Sequence, residues 1–277
     1  MRIDAHQHFW QLARGDYGWL TADLAPIYRD FGPADLAPPM QAAGIELSIL
    51  VQAAPTEAET EYLLDIAACT PSVAGVVGWM DFDAADAPAR IAQMAENPLL
   101  VGLRPMIQDI ADPDWMLSPS VGRALSAMQQ AGLVFDALVK PVHLAPLLTL
   151  ARRHPELSMV IDHCAKPDIA GGGFDAWAEG IAPLAKLANI RVKLSGLLTE
   201  AAGDAATVAP YIDHALGLFG PQRTIFGSDW PVLTLAGDYA GWVAMVEAAL
   251  AKFPAEDRAL AMGGNAADIY LRQRGRP

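Results

Sequence analysis

The chain has 277 residues, with 19 Lys and Arg against 32 Asp and Glu, and therefore a formal charge of −13. A surface this acidic repels polyphosphate and anionic lipid, so nucleic-acid and membrane-surface roles fit it poorly. With 53% hydrophobic and only 18% charged residues there is ample material for a full core, which argues against a disordered chain.

In chain order, an apolar run at residues 2–6 opens the sequence and reads as a strand. Residues 9–33 follow, 25 positions that mix Trp10, Tyr17, Trp19 and Tyr28 with Pro, Gly and Asp. They read as a long loop, serving either as a lid or as an aromatic seal on one end of the fold. Further runs rich in Val, Ile and Leu occupy 45–52, 74–81, 99–104, 133–139, 158–163, 190–195 and 224–228. Helical spacing fills the intervals at 56–70, 83–97, 118–131, 141–154, 174–188 and 205–219, with two or more helices in the tail 237–272. A Thr-Glu start at 56, the Asn97-Pro98 stop and Gly132 set some of these boundaries.

Strands that are apolar throughout, without alternation, are buried on both faces, the condition of a parallel sheet sheathed by helices. Eight strand and helix units in 277 residues leave about 35 residues each, the repeat size of a (β/α)₈ TIM barrel. The expectation is an α/β chain forming one barrel domain over 1–277, with a long loop after strand one and extra C-terminal helices. A doubly wound open sheet is the alternative, but no G-x-G-x-x-G follows the first strand and no G-x-x-x-x-G-K-[ST] occurs. The start MRIDAHQHFW lacks the basic and apolar segments of a secretory signal, and no apolar run is long enough to span a membrane, so a cytoplasmic location is expected. Cys69 and Cys164 read as free thiols. Cys164 stands beside His163, which poses a nucleophile against a small buried apolar side chain.

In a barrel the C-terminal ends of the strands converge on one mouth, where barrel enzymes place their chemistry. Those ends carry His6-Gln7-His8, Gln52, Trp79 with Asp81, Arg104, Asp136, Asp162-His163 with Lys166 beyond, Lys193 with Ser195, and Ser228-Asp229-Trp230-Pro231. His6 and His8 are two residues apart, so an extended strand turns both the same way, toward one metal ion or one substrate atom. His163 and Asp229 would complete a nitrogen and oxygen set suited to a hydrolytic divalent ion. His143, His154 and His214 fall in helical segments and read as surface residues.

The stretches Ile3-Asp4-Ala5-His6-Gln7-His8-Phe9-Trp10, Val77-Gly78-Trp79-Met80-Asp81, Gly102-Leu103-Arg104-Pro105, Ile161-Asp162-His163-Cys164-Ala165-Lys166-Pro167, Lys193-Leu194-Ser195-Gly196-Leu197 and Phe226-Gly227-Ser228-Asp229-Trp230-Pro231 together resemble the amidohydrolase 2 group of the amidohydrolase superfamily. Within it they are most similar to the sugar-lactone hydrolases, the L-fuconolactonases and L-rhamnonolactonases among them. The resemblance implies a (β/α)₈ barrel, hydrolysis of a ring ester, and an active site built from the first, sixth and eighth strands. It implies His6 and His8 as the first-strand pair, His163 as the sixth-strand histidine and Asp229 as the eighth-strand aspartate that acts as base. Arg104 stands where a lysine or glutamate would bridge two metals, and strand five offers Asp136 in place of a histidine, so the two-metal pattern is broken. What remains implied is one divalent ion on His6, His8, His163 and Asp229, zinc first among candidates, or no ion, with cationic side chains polarising the substrate.

Opening a lactone requires a base for water, an electrophile for the oxyanion and an acid for the leaving alkoxide. Asp229 would act as base and then acid; otherwise it only caps the loop after strand eight. Arg104 would offer a fixed donor fork to the carbonyl or to the carboxylate product, or else pair with Asp136 or Asp81. Lys166, Gln52, Trp79, Asp81 and Asp136 are candidates for reading hydroxyls on a sugar ring, and Trp10 and Trp230 for walling the pocket. The expected partner is a small-molecule lactone, with homo-oligomerisation left open. Rival readings are a single-metal decarboxylase, against which the missing fifth-strand histidine counts, a hydrolase of dicarboxylate lactones, and a binding barrel without activity.

Overall fold

The computed structural model, which describes residues 1–272, contains eight parallel strands paired in sequence order. They are β1 (Ile3–Gln7), β2 (Leu47–Val51), β3 (Val73–Gly78), β4 (Leu100–Leu103), β5 (Val134–Ala137), β6 (Met159–Ile161), β7 (Ile190–Leu194) and β8 (Thr224–Phe226). The ring closes just beyond β8, where the Asp229 N–H donates to the His6 carbonyl (2.7 Å) and the His8 N–H to the Trp230 carbonyl (2.8 Å). The seam of the barrel is thus made by the histidine and aspartate segments themselves. A cluster of Ile3, Ala5, Ile49, Val51, Ala74, Val77, Val101, Val134, Val160 and Ile225 draws on seven of the eight strands, so it is the barrel interior. Ala266–Leu271 packs into the same cluster and plugs the barrel from below.

Helices cover the outer face as the periodicity requires: α1 (Pro33–Ala42), α2 (Glu57–Cys69), α3 (Ala87–Met94), α4 (Pro119–Ala131), α5 (Leu144–Arg153), α6 (Phe174–Ile181), α7 (Leu197–Glu200), α8 (Ala209–Phe219), α9 (Tyr239–Leu250) and α10 (Ala255–Ala259). Thr56 caps α2 through its hydroxyl (Glu59 N–H, 3.1 Å), and Glu59 turns back to accept the N–H groups of Ala53 and Ala54 at the end of β2. Ser118 caps α4, and Gly132 ends it in a left-handed conformation that a side chain would resist. The sequence did not announce α1, because Pro38 and Pro39 lie inside it. Pro33 at its start, Asp35 accepting the Gly32 N–H (3.0 Å) and burial of Leu36 and Met40 hold it all the same. No helix among the described residues is long and apolar enough to cross a membrane.

Within residues 9–33, Trp10 exchanges backbone hydrogen bonds with Phe31, and its fully buried ring lies among Tyr17, Trp19 and Phe31 at centroid distances of 5.5 to 6.2 Å. The segment is an ordered flap folded over the β1 end of the barrel. His143 is buried, not a surface residue as its helical setting suggested, because its Nδ1 accepts the Lys140 N–H (3.0 Å) at the start of the turn before α5. His214 is half-buried against the rings of Phe174 and Trp177.

Candidate active site

Two backbone irregularities aim the central side chains. After β6 the chain enters a left-handed turn with φ of 51°, 51°, 65° and 47° at His163, Cys164, Ala165 and Lys166. Left-handed conformation costs a non-glycine residue about 1–2 kcal/mol, and such strain gathers at functional sites. The Trp177 indole holds the turn by donating to the Cys164 carbonyl (2.6 Å), and the Lys166 N–H donates to the His163 carbonyl (2.8 Å). Gly196 lies so close that a Cβ there would sit 2.6 Å from His163 Nδ1. Asp229 is also left-handed (φ 61°), on a loop anchored by the buried Asp4 carboxylate, which accepts from the Ser228 N–H (2.8 Å), the Ser228 hydroxyl (2.6 Å) and the Tyr239 hydroxyl (3.0 Å).

Four ring and carboxylate atoms then converge. Asp229 Oδ1 lies 3.7 Å from His6 Nε2, 3.3 Å from His8 Nε2 and 3.9 Å from His163 Nε2. A tetrahedral site with metal–nitrogen bonds of about 2.1 Å has ligand–ligand edges of about 3.4 Å, so this spacing fits a divalent ion such as zinc. The tautomer of His8 gives a second indication. Its Nδ1 contacts the Val51 carbonyl (2.8 Å) and must donate, so a neutral His8 turns an Nε2 lone pair toward a carboxylate oxygen at 3.3 Å. Two acceptors at that distance require a cation between them, either a proton on Nε2 or a metal ion. His163 is oriented in the same manner by Ser195, whose hydroxyl is 2.8 Å from Nδ1.

Beneath these atoms lies a buried ionic network. Lys193, fully buried, donates to Asp136 Oδ2 and lies 3.0 Å from Asp162 Oδ1 and 3.3 Å from His6 Nδ1. Tyr270 reaches up from the C-terminal plug to donate to Asp136 Oδ1 (2.7 Å). Arg104 Nη1 sits 3.3 Å from His6 Nε2 and 3.4 Å from Asp162 Oδ2. Its Nη2 donates to the Gln52 carbonyl while Gln52 Nε2 donates back to the Arg104 carbonyl (2.8 Å), a reciprocal clamp on the guanidinium. Burial drives His6 well below the ordinary imidazole range and lowers His163 to about 4, so both rings are neutral at pH 7. Burial pushes the Asp229 carboxyl up, but His163, the His8 hydrogen bond and His6 outweigh it and hold the group well below the usual carboxylate range. Asp162 is likewise held ionised by Lys193, His6 and Arg104 against its burial, whereas desolvation raises Asp136 to about 6.

A cavity of about 220 Å³ opens onto this center, with His8, Arg104, His163, Lys166 and Asp229 in its walls beside Trp19, Met106 and Gln108. The remaining sequence candidates lie elsewhere. Gln52 and Asp136 are buried behind the pocket, holding Arg104 and Lys193 respectively. Trp10 and Trp230 pack into the aromatic flap, Trp230 against Phe31 at 5.1 Å. Lys166, by contrast, is one of the pocket's own wall residues and is paired at its rim with Glu200 (3.0 Å). Trp79 and Asp81 line a second cavity of about 550 Å³ that adjoins the first. Arg104 pairs with neither Asp136 nor Asp81 but with Asp162. Cys164 is a core side chain whose thiol burial pushes up, with Sγ against the Lys193 carbonyl (3.4 Å). Sequence reasoning put Lys193 among the polar strand-end residues, where it stands out inside the apolar strand Ile190–Leu194, but gave it no role, and it did not find Tyr270, which nothing local marked.

The chain is 49% identical over 97% of its length to L-fucono-1,5-lactonase of Burkholderia ambifaria, covering 95% of that protein. It is 36% identical to L-fucono-1,5-lactonase of Burkholderia multivorans, with 98% of this chain and 96% of the relative covered. A crystal structure of an amidohydrolase from Burkholderia multivorans with bound Zn superposes with a TM-score of 0.92 at 36% identity, covering 98% of this chain and 99% of that one. The amidohydrolase family model matches residues 3–272, and on that match the chain belongs to the amidohydrolase family.

Proposed function

We propose that this chain hydrolyses a sugar-acid lactone, an aldonolactone of the L-fucono-1,5-lactone kind, by attack of water on the ring ester. The observation that carries the reading is the convergence of an ionised Asp229 with the Nε2 atoms of three histidines beneath a small pocket, in a chain so similar to the Burkholderia lactonases.

Asp229 holds the attacking water by hydrogen bond and takes its proton as the water oxygen bonds to the ester carbon. The carbonyl π pair moves onto oxygen, and the Arg104 guanidinium, held by Gln52, donates to the oxyanion from a fixed position. Collapse of the tetrahedral intermediate breaks the bond to the ring oxygen, which receives the proton back from Asp229, giving the open hydroxy acid. His6, His8 and His163 orient the carboxylate and the water, and Lys166 at the rim meets the carboxylate product. A divalent ion on His6, His8 and Asp229, with His163 Nε2 beside them at 3.9 Å from Asp229 Oδ1, zinc by the precedent of the Burkholderia multivorans structure, would add Lewis-acid polarisation of the ester carbonyl. Arg104 provides a cation in the pocket with or without it.

The test is proton release from a panel of aldonolactones that differ at one stereocentre each. Preference for L-fucono-1,5-lactone is expected. No hydrolysis above the spontaneous rate, or activity confined to dicarboxylate lactones, would overturn the assignment.

A further inference from the structure

The cavity beside the catalytic pocket is larger than the pocket itself, about 550 Å³ against about 220 Å³, and the two share Trp19, Met106 and Asp109 as a common wall. A ligand long enough to pass these three residues would reach from one cavity into the other. The larger chamber is faced by three tryptophans, Trp19, Trp79 and Trp115, of which Trp19 is 37% exposed and the other two are half-buried. Their positions are set in advance. The Trp115 indole donates to Asp83 Oδ2 (2.7 Å) and its ring rests against Phe82 at 6.3 Å. The Trp79 backbone N–H donates to the Thr60 hydroxyl (2.8 Å), which in turn donates to the Trp79 carbonyl (2.9 Å). Trp19 is tied through its indole to the Ala53 carbonyl (2.7 Å).

Asp81 and Asp109 add carboxylate acceptors to these aromatic faces, while no Lys, Arg or His lines the chamber among the described residues. Aromatic faces stack on the C–H face of a pyranose ring, and carboxylates accept from its hydroxyls. A carboxylate or phosphate group would meet only negative charge there.

We propose that this chamber binds a second, uncharged sugar ring carried by the lactone, so that the substrate class includes glycosylated aldonolactones. The lactone ring lies over Asp229 and the glycosyl ring is held between the tryptophans. The proposal rests on the lactone-hydrolase reading.

The experiment compares L-fucono-1,5-lactone with derivatives bearing a neutral pyranosyl group at each hydroxyl in turn, measured by proton release on the wild-type chain and on Trp115→Ala and Ile110→Trp. Trp115→Ala removes a stacking face, and Ile110→Trp adds bulk to the wall; neither residue lines the catalytic pocket. At least one glycosylated member should exceed the parent lactone tenfold in kcat/KM, and both variants should erase that advantage while leaving the parent lactone within twofold. Hydrolysis of the parent with no glycosylated member faster, or an advantage that survives both variants, would overturn the chamber proposal alone. Failure on every lactone, the parent included, would instead sink the lactone-hydrolase reading.

Discussion

Replacing Lys193 by Met tests the ionic network under the site most directly. The substitution keeps an unbranched side chain but removes a cation that lies between Asp136, Asp162 and His6, all fully buried. Asp162 would retain Arg104 and His6 at 3.4 Å, and Asp136, among the described residues, the Tyr270 hydroxyl at 2.7 Å alone. Breaking a buried ion pair by deleting one partner leaves an uncompensated charge and costs about 3–5 kcal/mol. At about 2.1 cal/mol/K per residue, 277 residues have an unfolding entropy of about 0.6 kcal/mol/K, so the melting temperature should fall by about 5–9 °C. Adding Asp136→Asn removes the carboxylate left with the poorest compensation, and the double variant should recover part of the loss. Urea unfolding and calorimetry of the wild type, both single variants and the pair complete the cycle. A loss below about 1 kcal/mol, or a double variant no more stable than Lys193→Met, would refute the idea that Lys193 neutralises this center.

Asp229→Asn should slow lactone hydrolysis by about 10²- to 10⁴-fold with the melting temperature little changed, and a near-normal kcat would remove Asp229 from the mechanism. Dialysis against a chelator should lower the melting temperature, and added Zn²⁺ should restore it, because His8 Nε2 and Asp229 Oδ1 face each other across 3.3 Å; indifference to both treatments would mean that His8 carries a proton there instead. Burial lifts Glu59 from 4.5 to about 7, so the folded chain keeps a proton that the unfolded chain releases; the contribution of Glu59 to stability should be greatest below pH 4.5, fall by about 3 kcal/mol as pH rises to about 7, and level off above. The difference in stability between the wild type and Glu59→Gln in urea titrations should change by about 3 kcal/mol between pH 4.5 and about 7, and a difference that does not vary with pH would refute the shift.

The barrel was legible because its signal is local and repeated. Eight unalternating apolar runs can only be strands covered on both faces, and every one of them is a strand in the structure. Boundaries were less so: the run read as 158–163 ends as a strand at Ile161, because the chain turns left-handed at His163, a conformation no propensity announces for His, Cys, Ala and Lys in series. The Pro-containing α1 was missed for the opposite reason, since local propensity spoke against a helix that burial of Leu36 and Met40 sustains.

Residue type and strand-end position by themselves brought His6, His8, Arg104, His163 and Asp229 to one mouth, since topology carries the C-terminal ends of all barrel strands to the same place. Tertiary structure decided which of the polar neighbours face the pocket. Gln52 and Asp136 turned inward to clamp Arg104 and pair with Lys193, because a buried cation must find its acceptors within the core. Trp79 and Asp81 went to the adjoining chamber, because the aromatic flap over β1 places Trp19 between the two cavities. Such choices depend on angles and distances between elements far apart in the chain, such as the 134 residues that separate Asp136 from Tyr270, and no single stretch of sequence encodes them.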